Sequence, residues 1–133
     1  MIQLKSICEI RTNNFHDPDM AMKFDQLWNE ATPYKLDGTV LYGVYSQYEN
    51  NYKGDYTVGV YRESQIGDLN IDVNTAYKSY VVDHHDPMGV FKTWQKIWQE
   101  EEEGIINRAY TYDFEKYEAD GTITIHIAID TCL

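Results

Sequence analysis

The sequence YTYDFEKYEADGTITIHIAI, residues 110–129, contains two strand-like segments separated by a turn. Its second half has isoleucine at every second position from residue 123 to residue 129, which is the period of a β-strand with one buried face. Its first half surrounds one carboxylate, that of Glu115, with aromatic residues. We therefore predict a hairpin of two strands, at residues 107–117 and 122–130.

The turn of this hairpin can close in two ways, and the choice decides which face carries Glu115. A three-residue loop with Gly121 in the left-handed region puts Glu115 opposite Ile125, on the apolar face. A two-residue Asp-Gly turn puts Glu115 opposite His126, on the face that carries the threonines. A slip of one residue exchanges the faces, and the spacing alone leaves both registers open.

Two short strings recur at one offset and indicate an internal duplication. His-Asp-Pro occurs at residues 16–18 and 85–87, an offset of 69 (85 − 16), and Tyr-Glu occurs at residues 48–49 and 117–118 at the same offset. Matches in one register indicate a supersecondary unit used twice. We predict a single domain over the whole chain, with pseudo-repeats at about residues 1–66 and 72–133.

Each half has the pattern of a β-α-β-β unit, which predicts an α+β fold. In both halves Asp-Pro precedes apolar residues at helical spacing, so we expect the aspartate to cap the helix and the proline to take its first position. Alternating segments, or segments rich in Tyr and Val, are typical of strands. The remaining predicted strands are residues 2–11, 40–48, 56–63 and 76–83, with a crossover at residues 65–74.

Alternation also predicts which side chains share a face. In the first strand Ile2, Leu4, Cys8 and Ile10 are expected on one face. In the second strand Tyr42, Ser46 and Tyr48 are expected on one face. Tyr45, like Tyr110 and Tyr112, is then expected on the alternate face, as a core or interface residue.

The charge balance excludes several classes of partner. The chain has 22 acidic and 11 basic residues, a net charge of −11, so neither nucleic acid nor an anionic membrane surface is expected to bind it. Cys8 and Cys132 have no metal-type spacing, and no metal or organic cofactor is expected. The start of the chain has no signal-peptide pattern and no apolar run is long enough to span a bilayer, which predicts a cytoplasmic protein.

Several motifs together resemble a known family. They are the string GDYTVGV at residues 54–60, Trp94 and Trp98 four residues apart, and Phe-Glu-x-Tyr at residues 114–117 before the alternating last strand. They are similar to the effector-binding domains of AraC-type transcription activators and to gyrase-inhibitor-like small-molecule-binding domains, including proteins carried on integron gene cassettes. The family usually has proline where this chain has Ala128. We expect no DNA-binding helix-turn-helix before the domain.

The resemblance implies a curved antiparallel sheet with two helices and a central cleft. In related multidrug-sensing regulators a buried glutamate recognises lipophilic cations, and Glu115 matches that position. Aromatic faces attract organic cations by about 0.5–2 kcal/mol per ring, and the chain has twelve Tyr and three Trp. The residues expected at the ligand site are Glu115, Trp94, Trp98, Tyr42, Tyr48 and Tyr117.

We therefore predict a freestanding small-molecule effector-binding protein for lipophilic or aromatic cations, and no catalytic residue is assigned. Two alternatives stay open: a gyrase-inhibitor-like hydrolase that uses the same glutamate, and a protein-binding subunit. A separate DNA-binding regulator or a second copy of the chain is the partner considered.

The glutamates at residues 100–103 lie at the end of the second predicted helix, where the helix dipole disfavours negative charge. We therefore expect a frayed, solvated end there.

Overall fold

Seven antiparallel strands in the described chain form one sheet, curled into a half-barrel, and two helices pack on it. The structure is a computed structural model and describes residues 2–72 and 76–130. The sheet order is β4-β1-β3-β2-β6-β7-β5. The elements are β1 Ile2–Thr12, α1 Met20–Leu36, β2 Leu41–Ser46, β3 Tyr56–Glu63, β4 Leu69–Ile71, β5 Tyr77–Val81, α2 Gly89–Glu102, β6 Asp113–Tyr117 and β7 Ile123–Ala128.

The order of elements confirms the predicted α+β fold, with a curved antiparallel sheet and two helices. The succession β1-α1-β2-β3 is followed by β5-α2-β6-β7, and β2 pairs with β6 at the centre of the sheet. One element was not predicted: β4 lies inside the predicted crossover at residues 65–74 and pairs with β1. Residues 73 and 74 of that crossover, and Cys132, lie outside the described residues.

Both helices cover the same side of the sheet, which we call the inner face. Leu27 and Ala31 of α1 are buried there against β3, and Ile97 of α2 is buried against Ile125 and Ile127 of β7. The predicted alternation of isoleucines in β7 is thus confirmed, because that row faces α2. Neither helix in the described part of the chain is long and apolar enough to cross a membrane.

The faces of β1 differ from the prediction because the strand contains a β-bulge. The register against β3 shifts between Ser6 and Cys8. Ile2 and Leu4 therefore lie on the outer face of the sheet, whereas Cys8 and Ile10 lie on the inner face with α1. A bulge adds one residue to one strand and so interrupts the alternation of side chains along it.

β2 ends earlier than predicted, so Tyr42 and Tyr48 lie on opposite faces of the sheet. Gln47 has φ 51°, in the left-handed region, and directly follows the last strand residue. Tyr42 lies within the regular strand and belongs to the outer cluster, whereas Tyr48 follows Gln47 and packs in the inner cluster. The prediction that these two side chains share a face is wrong for this reason.

The predicted strand at residues 107–117 is also shorter than expected, because its first part is irregular. Tyr110 has φ 55°, a conformation that interrupts a strand. Arg108 makes a single bridge to Ile129, and regular pairing with β7 begins only in β6.

The two Asp-Pro strings lie just before the helices rather than at their first positions. In Asp17 and Asp86, one carboxylate oxygen accepts the backbone N–H two residues later, at 2.9 Å in both halves. The other oxygen accepts from the lysine six residues later, Lys23 at 2.6 Å and Lys92 at 2.7 Å. The aspartates therefore stabilise the turn that leads into each helix, which corrects the predicted N-cap role.

The hairpin between β6 and β7 adopts the three-residue loop. Glu115 pairs with Ile125, the backbone N–H of Glu118 donates to the carbonyl of Thr122 at 2.9 Å, and Gly121 has φ 95°. This register puts Glu115 on the inner face, as the family resemblance implied.

Gly89 permits the close contact that positions α2. A β-carbon there would lie 2.2 Å from the backbone carbonyl oxygen of Asp83, which is too short for any real contact. We expect Gly89→Ala to lower the free energy of unfolding by about 1–3 kcal/mol, the usual cost of overpacking, as measured by urea denaturation. The control is Met88→Ala at the neighbouring exposed position. Equal loss in both variants would contradict this account of the helix start.

Candidate ligand-binding cavity

A cavity of about 390 Å³ lies between the two helices, over the inner face of the central strands. This volume falls in the range of small-molecule sites, which is about 300–1,000 Å³. Its lining in the described chain includes nine aromatic residues, three of them phenylalanines, and one charged residue, Arg108. The tyrosines and tryptophans that line it are Tyr45, Tyr48, Tyr52, Tyr56, Trp94 and Trp98.

Three of the six predicted site residues line this cavity. Trp94 and Trp98 come from one face of α2, and Tyr48 follows the end of β2. Trp98 stacks on Tyr52, with ring centroids 5.2 Å apart and planes 9° apart. The two tryptophans therefore serve both as core and as wall, since Trp94 is also part of the buried cluster under α2.

Tyr42 lies on the other side of the sheet from the cavity. It is buried in the outer cluster beside Phe114, and its hydroxyl donates to Glu63 at 2.5 Å. Its predicted place in the wall is wrong because β2 presents residues 41, 43 and 45 to the inner face. Tyr45, which was expected to be a core or interface residue, takes that place in the wall.

Glu115 lies directly behind the cavity wall and is 2% exposed. Its Oε2 accepts hydrogen bonds from the Trp94 indole N–H at 2.6 Å and from the Tyr45 hydroxyl at 3.0 Å. Its Oε1 accepts from the Tyr117 hydroxyl at 2.7 Å. Gly43 faces it across the sheet, where a β-carbon would lie 3.0 Å from Oε1. Glu115 and Tyr117 thus support the wall but do not line the cavity.

Burial dominates the protonation equilibrium of Glu115. Removal from water raises the pKa of the carboxyl above its ordinary value, and the three hydrogen bonds only partly offset this effect. Burial likewise raises the pKa of the Tyr45 and Tyr117 hydroxyls, with the nearby Glu115 charge adding to it. Both phenols therefore stay protonated and remain hydrogen-bond donors.

A buried ion pair forms a second support of the wall. Arg108 Nη2 donates to Asp113 at 2.8 Å, and both side chains are almost fully buried. The Tyr48 hydroxyl also donates to Asp113, at 2.6 Å, and the backbone N–H of Ala128 donates to its other oxygen at 2.8 Å. The Arg108 guanidinium lies 4.4 Å from the centroid of the Tyr110 ring, a cation–π contact.

The glutamates at the end of α2 also bind tyrosines. Each of three successive carboxylates accepts a hydrogen bond from a phenol of a different segment, and α2 stays helical to Glu102, so the predicted fraying is wrong. Glu102 and Glu103 are nevertheless exposed to solvent, as predicted. Sequence alone did not reveal these tyrosine–glutamate pairs because each joins residues at least nine positions apart. The pairs are Tyr80–Glu100 at 2.5 Å, Tyr110–Glu101 at 2.5 and 2.7 Å, and Tyr52–Glu102 at 2.7 Å.

Four rings of the wall share one arrangement. Each ring lines the cavity and donates its polar hydrogen to a carboxylate that does not line the cavity. We call such a ring a carboxylate-backed ring. The negative charge therefore lies beyond the ring, and the cavity meets electron-rich aromatic faces. The four are Tyr45 and Trp94, backed by Glu115, Tyr48, backed by Asp113, and Tyr52, backed by Glu102.

Sequence reasoning missed Tyr45, Tyr52, Tyr56, Arg108 and Asp113 as parts of the site. A signal existed for Tyr45, because strand alternation separates it from Tyr42 and puts it opposite the segment of Glu115. No signal in the sequence joined Arg108 to the cavity, since its neighbours there come from distant segments.

The His-Asp-Pro strings belong to the helix starts. Within residues 2–72 and 76–130, no group of three or more His, Cys, Asp or Glu side chains is arranged to hold a metal ion.

Comparison with known proteins shows a shared fold. The crystal structure of an integron cassette protein from the mobile metagenome of Vibrio cholerae aligns over 97% of this chain and 90% of its own, with a TM-score of 0.70 and 21% sequence identity. No protein-family model matches the sequence. No curated protein matches it either.

The raised pKa of Glu115 predicts how stability depends on pH. The folded state holds the Glu115 proton more tightly than the unfolded state, so the contribution of Glu115 to stability falls as pH rises from about 4.5 through the folded pKa. The free energy of unfolding of the wild type, minus that of Glu115→Gln, should therefore fall toward neutral pH, by up to about 1.4 kcal/mol per pH unit in that window.

Urea denaturation at a series of pH values measures this difference. Glu49→Gln, at an exposed carboxylate, is the matched control. If the free energy of unfolding of the wild type minus that of Glu115→Gln stays constant or rises with pH, the raised pKa of Glu115 is contradicted.

Proposed function

We propose that this chain is a small-molecule-binding protein that takes up flat, lipophilic cations in the cavity between α1 and α2. The observation that carries the proposal is the set of carboxylate-backed rings in the wall. A cation over such a ring interacts with the negative face of the ring and with the full charge behind it.

The charges around the wall favour a cation. Asp113 is paired with Arg108, and Glu102 has Lys53 at 3.4 Å. Glu115 has no lysine or arginine in ion-pair contact within residues 2–72 and 76–130. Its charge is buried and without a counter-ion, a costly arrangement that a bound cation would relieve.

Glu115 acts through the wall rather than by direct contact. Both oxygens of Glu115 accept hydrogen bonds, and the side chains of Tyr45 and Trp94 lie between Glu115 and the cavity. Charge recognition through the rings tolerates cations of different shape, since no hydrogen bond from the ligand is required.

The comparisons support the proposal at the level of fold. The integron cassette protein shares the architecture, and the sequence motifs resemble effector-binding domains of AraC-type activators and gyrase-inhibitor-like proteins. A role in transcription regulation would require a separate DNA-binding partner.

Binding without chemistry is the function that the geometry favours. The alternative, hydrolysis with Glu115 as acid or base, requires that the carboxyl reach the ligand, and the hydrogen bonds hold it behind the wall. Mass spectrometry of a cation incubated with the protein should therefore recover the compound unchanged.

The direct test compares a cation with a neutral ring of similar shape. N-methylquinolinium should bind the wild type, and Glu115→Gln should weaken it roughly tenfold, about 1.4 kcal/mol, because the charge behind the rings is lost. Isothermal titration calorimetry measures both affinities.

Quinoline, uncharged at mildly alkaline pH, is the control ligand, and its affinity should change little in the variant. Glu49→Gln is the control variant for both ligands, because its carboxylate is exposed and outside the wall. Equal binding of N-methylquinolinium by wild type and Glu115→Gln would overturn the proposed role of Glu115.

A further inference from the structure

Among the described residues that line the cavity, Arg108 is the one with a charge, and its hydrogen bonds are incomplete. Its side chain is 1% exposed. Within residues 2–72 and 76–130, its Nε and Nη1 atoms have no hydrogen-bond partner. Buried N–H groups nearly always have one, because an unpaired buried donor costs free energy.

Arg108 uses one nitrogen, Nη2, for the hydrogen bonds that it makes. Nη2 donates to Asp113 at 2.8 Å and lies 3.5 Å from the Tyr48 hydroxyl oxygen. Nη1 lies 3.9 Å from the Glu101 carboxylate, which is too far for a hydrogen bond. An arginine has five N–H donors, so most of this donor capacity is unused.

The neighbouring acceptors are already committed to other donors. Asp113 accepts from Arg108, from Tyr48 and from the backbone of Ala128. Glu101 accepts from the Tyr110 hydroxyl, and the ring of Tyr110 meets the guanidinium with its face. Arg108 lines the cavity, but its Nε and Nη1 atoms are themselves buried. An acceptor oxygen in the cavity therefore reaches them only when a neighbouring side chain moves aside.

We infer that the ligand of this cavity is an aromatic cation that also carries an oxygen acceptor, a carbonyl or a carboxylate, and that this oxygen accepts hydrogen bonds from the free N–H groups of Arg108. The inference rests on the proposed function and adds a second recognition element to it. The carboxylate-backed rings select the cationic ring, and Arg108 selects the acceptor and fixes the orientation of the molecule. A hydrogen bond to a charged, buried donor is among the stronger polar contacts.

The test uses N-methylquinolinium as the parent ligand and two sets of its derivatives. One set carries a carboxamide and the other a carboxylate, each at different positions of the ring. At least one carboxamide or carboxylate isomer should bind the wild type roughly tenfold more tightly than the parent, the effect of one charge-assisted hydrogen bond. A carboxylate better than the carboxamide indicates an ionic contact, and equal affinities indicate hydrogen bonding to oxygen. Calorimetry measures the affinities.

The matched variants are Arg108→Lys and Arg62→Lys. Lysine at position 108 keeps a positive charge for Asp113 but removes Nε and the planar donor group. Arg62 lies over the Tyr34 ring at 6.0 Å, outside the cavity lining, and tests the same substitution elsewhere. The affinity for the acceptor-bearing ligand divided by the affinity for the parent should fall to about one in Arg108→Lys. In Arg62→Lys this ratio should keep its wild-type value.

A wild-type measurement keeps the inference falsifiable if Arg108→Lys does not fold. The Nε–H resonance of Arg108 in a ¹⁵N-correlated NMR spectrum should shift on binding the carboxamide and shift less on binding the parent. If all isomers bind like the parent and this resonance does not respond, the inference is overturned while the proposed function stands. If the preference persists in a folded Arg108→Lys, the inference is also overturned. If none of the ligands binds, both proposals fail.

Discussion

Three hydrogen bonds to the buried carboxylate of Glu115 hold the inner face of this protein together at its centre. The donors are Trp94 of α2, Tyr45 of β2 and Tyr117 of β6, so one side chain joins a helix to two neighbouring strands. A carboxylate taken out of water is tolerated only when it is well hydrogen-bonded, which makes loss of any donor costly. The same requirement keeps Tyr45 and Trp94 in place as cavity walls, since the bonds that satisfy Glu115 also fix their rings.

The unusual composition of the chain follows from the same kind of contact. With 22 acidic residues and 11 lysines and arginines, half of the carboxylates cannot have a lysine or arginine of their own. Tyrosine supplies a donor without a charge, and phenols bind carboxylates at Glu63, Asp113 and the end of α2 as well as at Glu115. The tyrosines thus do two tasks: they satisfy buried or half-buried acids, and they present their faces to the cavity.

Much of the fold was predictable, because regular alternation is a direct record of burial. The isoleucines of β7 alternate without interruption, and the strand is regular. The errors arose where the backbone departs from regular geometry. The bulge in β1 and the left-handed conformation of Gln47 put the side chains that follow on the opposite face of the sheet from the one predicted, and Tyr110 interrupts its strand. None of these positions carries the glycine that would mark it in the sequence. Their conformations are supported by tertiary contacts, which a local pattern does not record.

The site was predictable only in part, for a related reason. Glu115 was recognisable from its aromatic neighbours in sequence, and the two tryptophans from their spacing on one helix. Tyr52, Arg108 and the acids at the end of α2 join the site from separate segments, and only the tertiary fold brings them together. The sequence predicted Glu115 among the residues of the ligand site, whereas in the structure Tyr45 and Trp94 line the cavity and Glu115 lies behind them.

A crystal structure of the protein with bound N-methylquinolinium would show whether the charge of Glu115 acts on a ligand from behind the aromatic wall. We expect electron density for the flat cation against the faces of Tyr45 and Trp94, with the three hydrogen bonds to Glu115 intact. A cation bound outside the cavity between α1 and α2, or one that contacts the Glu115 carboxylate in place of the Trp94 indole, would contradict this expectation.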